Sequence, residues 1–282
     1  LRSRGLMKSL SFLLTTLIAV SVWAGLLDSS SFLNKLEPLQ NAVLVTTPEE
    51  DHKQLLEAFA EAKTSIYVGI FGISNIKIGE ALTAAHKRGV KVIVICDKYC
   101  SNNPKRAEIY NKLKADGVEI YTATTGFSIS HWKMFVIDEK KAFVSTMNFI
   151  VRTNQMRDLG IFLTNESIIQ EIVTVFKADV ENAKNQTAST PELTNPNMVW
   201  SPNNAEDKLT HLIRSADKTI NIWIENLGNQ TVHSTLKDVA KRGVKVRVLT
   251  SECGMGMPPA ASFKNLKDLV DGGVNVHVMP FP

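Results

Sequence analysis

The chain has 282 residues, of which 44% are hydrophobic and 21% are charged. This composition excludes a wholly disordered protein and supplies enough apolar side chains to bury a large core in one or two domains. The formal net charge of +4 is mildly basic, which suits an anionic substrate, a lipid surface or a nucleic acid without selecting among them.

The N-terminal segment has the pattern of an export signal. Met7 and Lys8 precede an apolar run over residues 10–22, and Val22-Trp23-Ala24 has the small-x-small form of a cleavage site. We therefore predict a signal peptide over residues 1–24 and an exported protein, either secreted or periplasmic. The run is short for a membrane span of ~20 residues, so an uncleaved membrane anchor extending to Leu27 is the alternative.

Beyond this segment, helical and strand patterns alternate along the chain. Thr47-Pro48 predicts a helix start with Thr47 as the N-cap, and Gly89 and Gly117 each predict a helix end. The predicted elements are helices at about 49–63, 77–88 and 104–116 and strands near 65–71, 90–96, 118–122 and 131–137. This alternation predicts an α/β fold with a mostly parallel sheet.

Two blocks of sequence recur at an offset of 154 residues. Ala62-Lys63-Thr64-Ser65-Ile66 returns as Ala216-Asp217-Lys218-Thr219-Ile220, and the block that begins at Lys87 returns at Lys241. We therefore predict an internal repeat, with a first half over residues 40–181 and a second half over residues 200–282. Residues 182–199, which are rich in Asn, Thr, Pro and Ser, are predicted to link the halves.

A candidate phosphate site lies in the last predicted strand of the first half. His131 and Lys133 flank Trp132 at the start of an apolar run, and side chains alternate along a strand, so His131 and Lys133 should point the same way. Asp138 ends the run, and Asn148 follows in Ser145-Thr146-Met147-Asn148. An imidazole and an ammonium group on one face are able to attack and bind a phosphate diester.

The spacing His-x-Lys-x4-Asp, followed by a small-residue turn and Asn, resembles the signature of the phospholipase D superfamily of phosphodiesterases. In that family the second part of the motif reads Gly-Ser-x-Asn, so Ser145 and Thr146 occupy the Gly and Ser positions. The resemblance implies two similar α/β/α halves, each with one such motif, packed around a shared site. The alternative interpretation is a buried strand with a chance His and Lys.

The resemblance also implies a two-step reaction at these residues. His131 would attack phosphorus and form a phosphohistidine, which water or an alcohol then resolves. Lys133, Asn148 and Thr146 would neutralise or hydrogen-bond the phosphate oxygens, and Asp138 would orient a histidine. A second histidine would protonate the leaving group as general acid.

The repeat places the second motif just beyond Pro282. We interpret the chain as a two-motif protein truncated before its second motif, and the alternative is a homodimer that brings two copies of His131 together.

A stretch of the second half resembles one that phospholipases D carry between their motifs, Ile222-Trp223-Ile224-Glu225-Asn226. This resemblance implies that Glu225 lines the substrate site. A strand end capped by Asn226 is the other interpretation, and the repeat matches Glu225 to Phe71.

The three cysteines do not form the framework of a disulfide-rich domain. Cys96 lies in an apolar strand and is predicted to be part of the core, whereas Cys100 and Cys253 follow corresponding strands of the two halves. A bridge between Cys100 and Cys253 after export is left open. No Cys/His cluster has the spacing of zinc ligands, and we predict no metal and no cofactor.

These features predict a phospholipase D-type phosphodiesterase that hydrolyses phosphatidylcholine-like lipids to phosphatidic acid. The expected partner is a phospholipid or membrane surface. Nucleic acid is the weaker alternative, because no Lys/Arg cluster resembles a nucleic-acid-binding arm. An exported endonuclease of the same superfamily and a catalytically inactive binding protein are the alternative functions.

Overall fold

A computed structural model describes residues 35–279 apart from residues 40, 51, 101, 152–155 and 252–258. The predicted signal peptide or membrane anchor and Cys253 therefore lie outside the described residues. The contacts divide the chain after Asn195. Residues Pro38–Asn195 are the N-terminal unit, and residues Pro196–Pro282 belong to the C-terminal unit.

Seven strands and four helices make up the described part of the N-terminal unit. The strands are β1 (Val43–Thr46), β2 (Ser65–Ile70), β3 (Lys91–Cys96), β4 (Glu119–Thr122), β5 (Lys133–Ile137), β6 (Lys141–Ser145) and β7 (Leu159–Leu163). The helices are α1 (Lys53–Glu61), α2 (Ile76–Lys87), α3 (Pro104–Ala115) and α4 (Glu166–Asn185).

The strands form one sheet in the order β1-β7-β6-β5-β2-β3-β4. The pairs β2–β3 and β3–β4 are parallel, and the remaining neighbours are antiparallel. These pairings make β1, β2, β3, β4 and β6 point in one direction. The predicted α/β fold, with most strands aligned, is confirmed.

The centre of this sheet is buried on both faces. Every residue of β2 and of β5 is buried, which is the pattern of strands covered by helices on two sides. On one face, Phe59 of α1 packs against Phe135 of β5 with ring centroids 4.7 Å apart. On the other face, Phe176 of α4 stacks on Tyr67 of β2 at 5.2 Å. Each such buried aromatic side chain stabilises the unit by ~1.5–3 kcal/mol, so the sheet is a firm platform for the loops at its edges.

The segment between β1 and α1 differs from the prediction. Helix α1 begins at Lys53 rather than near residue 49, and Thr47 is not its N-cap. The Thr47 hydroxyl instead donates to the Met156 carbonyl oxygen at 2.7 Å and accepts from the Asp158 N–H at 2.8 Å. Thr47 therefore ties β1 to the start of β7. Gly89, predicted as a helix end, follows α2 with a φ of +91°, a conformation that suits glycine.

The predicted linker over residues 182–199 is partly a structured piece of the N-terminal unit. Its first residues belong to α4, which continues to Asn185. The Glu171 carboxylate accepts hydrogen bonds from the Thr194 and Asn195 N–H groups at 2.8 and 2.7 Å. Polar residues of the segment also bond to one another, because the Asn182 Oδ1 accepts from the Thr187 and Ser189 hydroxyl groups and from the Ser189 N–H.

The C-terminal unit contains three strands and three helices among the residues that are described. They are α5 (Ala205–Arg214), β8 (Thr219–Ile224), α6 (Gln230–Lys241), β9 (Lys245–Ser251), α7 (Pro259–Asp271) and β10 (Asn275–Met279). The strands form a parallel sheet in the order β10-β9-β8. The bounds of β8 and α6 match those of β2 and α2 at the offset seen in the sequence, and Thr219 pairs with Lys245 as Ser65 pairs with Lys91.

The cysteine arrangement corrects one expectation. Cys96, at the end of β3, is bonded to Cys100 in the turn that follows, so Cys100 is not available to Cys253. Both half-cystines are buried. Along the described parts of the chain, no helix has the length and apolarity needed to cross a membrane.

Candidate active site

The motif residues gather at one edge of the seven-stranded sheet, which we call the site edge. It is formed by the C-terminal ends of β2, β3 and β6 and the N-terminal ends of β5 and β7. The register places Ile70 opposite Lys133 and Ser145 opposite Gly160, so the loops that follow or precede these residues meet at this edge. Polar side chains just beyond strand ends are well placed for function, because the sheet itself remains apolar and rigid.

His131 lies at the site edge two residues before β5. Its side chain is exposed, and its ring packs against the ring of Phe71 with centroids 4.9 Å apart at 65°. Phe71 follows β2 directly, and its N–H donates to the Trp132 carbonyl oxygen at 2.9 Å, which extends the β2–β5 ladder by one bond. The imidazole is thus open to solvent on one side and supported by an aromatic ring on the other.

The Lys133 side chain extends from the first residue of β5 and also lies at the site edge. Its residue surface is only 8% exposed, and its Nζ donates to the His131 carbonyl oxygen at 3.1 Å. The ammonium group also lies 5.6 Å from the centroid of the Phe71 ring, within the range of a cation–π contact. Because both side chains contact Phe71, His131 and Lys133 do point the same way, as the alternation of the strand predicts.

The turn after β6 is held by hydroxyl groups rather than by a glycine. The Ser145 hydroxyl donates to the Lys133 carbonyl oxygen at 3.1 Å, and the Thr146 hydroxyl donates to the Asp158 carboxylate at 2.8 Å. Ser145 does not have a positive φ, so this position does not need the conformational freedom of glycine. Glycine is instead required at position 160, because an added Cβ on Gly160 would overlap the ring of Phe143.

Asn148 carries an unsatisfied polar atom beside this turn. Its Oδ1 is buried and has no hydrogen-bond partner within the described residues. Leaving such an atom without a partner costs ~1–3 kcal/mol, and buried amide oxygens are almost always paired. The same side chain also offers two N–H donors, which suit phosphate oxygens. Its backbone is fixed, because the Asn148 carbonyl accepts from the Ile150 N–H at 3.0 Å.

The expected role of Asp138 is corrected. Asp138 follows β5 at the opposite edge of the sheet from His131, and its carboxylate accepts hydrogen bonds from the Lys63, Thr64 and Ser65 N–H groups at 2.7–3.1 Å. Burial alone would raise the pKa of this carboxyl, but those backbone hydrogen bonds outweigh it and hold the pKa below its usual value. Asp138 therefore fixes the start of β2 and does not orient His131.

Asp97 is a site-edge residue that the sequence reasoning missed. It follows β3, is only 1% exposed, and accepts a hydrogen bond from the Ser130 N–H at 2.7 Å. Its second oxygen accepts from the Tyr99 N–H at 2.9 Å. Since Ser130 directly precedes His131, the Asp97 carboxylate connects β3 to the segment that carries the histidine. The signal available in the sequence was an aspartate directly after an apolar run.

Glu225, the predicted lining residue, lies in the C-terminal unit. It follows β8 directly, and its backbone carbonyl accepts from the Thr250 and Ser251 hydroxyl groups, both at 3.1 Å. The side chain is exposed. Its contact with substrate stays a prediction.

A surface cavity of about 510 Å³ in the N-terminal unit lies away from the site edge. It is lined by α1 and by Val43, Lys141 and Phe162, and Lys141 starts β6 at the end opposite to Ser145. Four glutamates line it: Glu49, Glu50, Glu57 and Glu61. Lys53 and Lys141 also line it, so the lining is net acidic, which disfavours phosphate binding.

Comparison with known proteins identifies the family of this chain. The family described as cardiolipin synthase, PLD-like domain, matches residues 55–180 and 209–282, which is more than half of the chain. The chain belongs to the phospholipase D superfamily. A phospholipase D of Rickettsia prowazekii (strain Madrid E) is 25% identical over 179 residues, which cover 58% of this chain and 86% of that protein. A probable cardiolipin synthase, YwiE, of Bacillus subtilis (strain 168) is 28% identical over 134 residues, 45% of this chain but 26% of that protein.

The fold of a solved structure agrees with this membership. The phosphatidylserine synthase of Haemophilus influenzae Rd KW20 superposes with a TM-score of 0.63 at 14% identity, covering 90% of this chain and 79% of that one. At this identity the likeness concerns the fold alone. The predicted phospholipase D superfamily is confirmed. The named relatives differ in reaction, so they do not select a substrate.

Proposed function

We propose that this chain supplies the nucleophilic half of a phospholipase D-type active site, which hydrolyses the headgroup ester of a phospholipid. The observation that carries the proposal is the shared contact of His131 and Lys133 with Phe71. An exposed imidazole and a buried ammonium group at one ring present a nucleophile and a cation to the same phosphate. The name of the Rickettsia relative, phospholipase D, supports a phospholipid as the substrate.

The reaction follows from these positions in two displacements. A ring nitrogen of His131 attacks phosphorus, the bond from phosphorus to the headgroup oxygen breaks, and that oxygen leaves with a proton from a general acid. Water then attacks the phosphohistidine, the phosphorus–nitrogen bond breaks, and phosphatidic acid is released. Lys133 and the amide N–H groups of Asn148 stabilise the negative charge that builds on the phosphate oxygens.

The reaction also needs a general acid. We propose that a second histidine supplies this proton, as the resemblance to the superfamily implies. Thr146 does not need to contact substrate in this scheme, because its hydroxyl already donates to Asp158. Export of the protein, and a membrane surface as its partner, are parts of the same proposal that rest on the pattern of residues 1–24.

The substrate class is tested with side-by-side assays of the full-length protein on phosphatidylcholine, phosphatidylglycerol and single-stranded DNA. We expect phosphatidic acid to be released from lipid vesicles and DNA to remain intact. Lys133→Met should remove this activity, whereas Lys141→Met, a matched change at the other end of the sheet, should retain it. DNA cleavage without lipid hydrolysis would replace the lipase proposal with the endonuclease alternative. Turnover of neither class would support an inactive binding protein.

A further inference from the structure

A third cation lies at the ring that His131 and Lys133 share. Arg106, in the first turn of α3, has its Cζ 5.6 Å from the centroid of the Phe71 ring. The guanidinium group lies directly on Gly72, since an ideal Cβ on that glycine would come within 2.8 Å of the Arg106 Cζ. Arg106 is half-buried, so its position is set by packing as well as by charge.

Arg106 and Lys133 reach Phe71 from different elements of the fold. In the sheet, β2 lies between β5 and β3. Lys133 extends from β5, whereas Arg106 lies on α3, which follows β3. The two cations are no further apart than twice 5.6 Å, because each lies at that distance from the same ring centroid. Two anionic groups of one small substrate fit within this upper limit.

Within the described residues, no carboxylate forms an ion pair or a hydrogen bond with the Arg106 guanidinium group. A guanidinium group presents a planar fork of N–H donors that matches phosphate and carboxylate oxygens. A half-buried cation of this kind, beside the lysine that we propose to bind the phosphodiester, is suited to a second anionic group.

We propose that Arg106 binds a second phosphate of the substrate, on the headgroup side of the phosphodiester that His131 attacks. The inference rests on the proposed lipid hydrolysis and narrows it to phospholipids with an additional phosphate on the headgroup. A choline headgroup is disfavoured, since its cation would face the guanidinium group. Gly72 is part of the same subsite, because only a residue without a side chain leaves room for the guanidinium group.

The test compares two lipids that differ by one phosphate. Phosphatidylglycerophosphate and phosphatidylglycerol are presented in the same mixed micelles, and kcat/KM is measured for each with the full-length protein. We expect the wild-type protein to prefer the phosphorylated headgroup. Arg106→Gln should lower this preference by roughly tenfold, the value of one lost charge-assisted hydrogen bond. Arg106→Lys should lie between the two, because lysine keeps the charge without the fork.

Two further variants distinguish the loss of the Arg106 subsite from a general effect of substitution on folding. Gly72→Ala should reduce the preference as Arg106→Gln does, because the new methyl group displaces the guanidinium group while every charge is kept. Lys105→Gln removes one positive charge from the neighbouring exposed position and should leave the preference unchanged. An unchanged preference in both Arg106→Gln and Gly72→Ala would overturn the subsite.

The outcomes also distinguish this inference from the proposed function. If the wild-type protein hydrolyses both lipids but shows no preference, the lipase proposal stands and the Arg106 subsite falls. If the protein hydrolyses neither lipid, the proposed function fails and the inference fails with it. If Arg106→Gln impairs cleavage of single-stranded DNA and not of the phosphorylated lipid, the second phosphate belongs to a nucleic acid, and the lipid assignment is wrong.

Discussion

The Asp97 carboxylate accepts a hydrogen bond from the Ser130 N–H at 2.7 Å, and both residues are buried. Asp97 directly follows β3, a strand of the parallel part of the sheet, and Ser130 precedes the histidine that we assign as nucleophile. The backbone before His131 is therefore anchored to β3 by a charge-assisted hydrogen bond, which is stronger than a neutral one. Asp97 is a positioning residue, because no contact between its side chain and His131 is needed for this effect.

Replacement of Asp97 should impair turnover more than its effect on stability explains. Asp97→Ala leaves the buried Ser130 N–H without an acceptor, so we expect a loss of ~1–3 kcal/mol in the free energy of unfolding and a clear fall in kcat with little change in KM. Asp97→Asn keeps one acceptor oxygen and should recover part of the kcat. Urea unfolding and steady-state kinetics measure the two effects.

A cap variant supplies the control for Asp97. The Asn229 side chain caps α6 in the C-terminal unit by accepting from the Val232 N–H at 2.9 Å. Asn229→Ala should cost ~1 kcal/mol of stability with unchanged kcat. A folded Asp97→Ala protein with the kcat of the wild type would show that Asp97 does not position the histidine segment.

Asp138 should behave as a structural residue with a defined pH dependence. Its pKa is held below the usual aspartate value of 3.8, so its contribution to stability is present above that value and is lost as the pH falls through the lower pKa of the folded state. We expect Asp138→Asn to lower the free energy of unfolding at about pH 6, and we expect this difference from the wild type to shrink as the pH falls through the folded-state pKa of Asp138. Urea denaturation across this range tests the difference.

The same variant separates structure from catalysis. Under conditions where Asp138→Asn is folded, its kcat should stay within a few-fold of the wild-type value, because its carboxylate contacts the backbone of Lys63, Thr64 and Ser65. A loss of ~10²-fold or more in a fully folded protein, the scale of a lost catalytic group, would restore Asp138 to the catalytic machinery.

Gly160 should be intolerant of even the smallest side chain. A Cβ at this position overlaps the Phe143 ring and lies 3.0 Å from the Ser145 Cβ, in the middle of a sheet that cannot give way easily. Gly160→Ala should therefore reduce the free energy of unfolding by ~1–3 kcal/mol or more. Leu159→Ala at the exposed neighbouring position is the control and should change it by less than ~0.5 kcal/mol. Equal stability of the two variants would contradict this packing.

The sequence was most informative where a pattern depends on neighbours along the chain. The continuous apolar runs of β2 and β5 mark strands buried on both faces, and the structure confirms both. The pairing of His131 with Lys133 also follows from simple alternation along a strand. Thr47 shows the limit, because its hydroxyl bonds to Met156 and Asp158, more than 100 residues away, and such partners cannot be predicted from local sequence.

Asp138 shows a second limit, because the family resemblance implies a role for it at the histidine that the geometry of a strand opposes. His131 and Asp138 are separated by seven positions, and an extended strand rises by about 3.3 Å per residue, so the two ends of β5 lie at opposite edges of the sheet. The sequence alone was sufficient for that conclusion. Asp97 and Arg106 are different, because β3 and α3 bring them to Ser130 and Phe71 only through the fold.

The central claim is that His131 is the nucleophile, and trapping of the covalent intermediate tests it most directly. The full-length protein is mixed with phospholipid labelled at its phosphate and quenched in alkali, in which phosphohistidine persists. We expect label on the wild-type protein and on His211→Asn, a histidine change in the C-terminal unit. His131→Asn should lose both the label and turnover. Retained turnover or label in a folded His131→Asn protein would contradict the assignment.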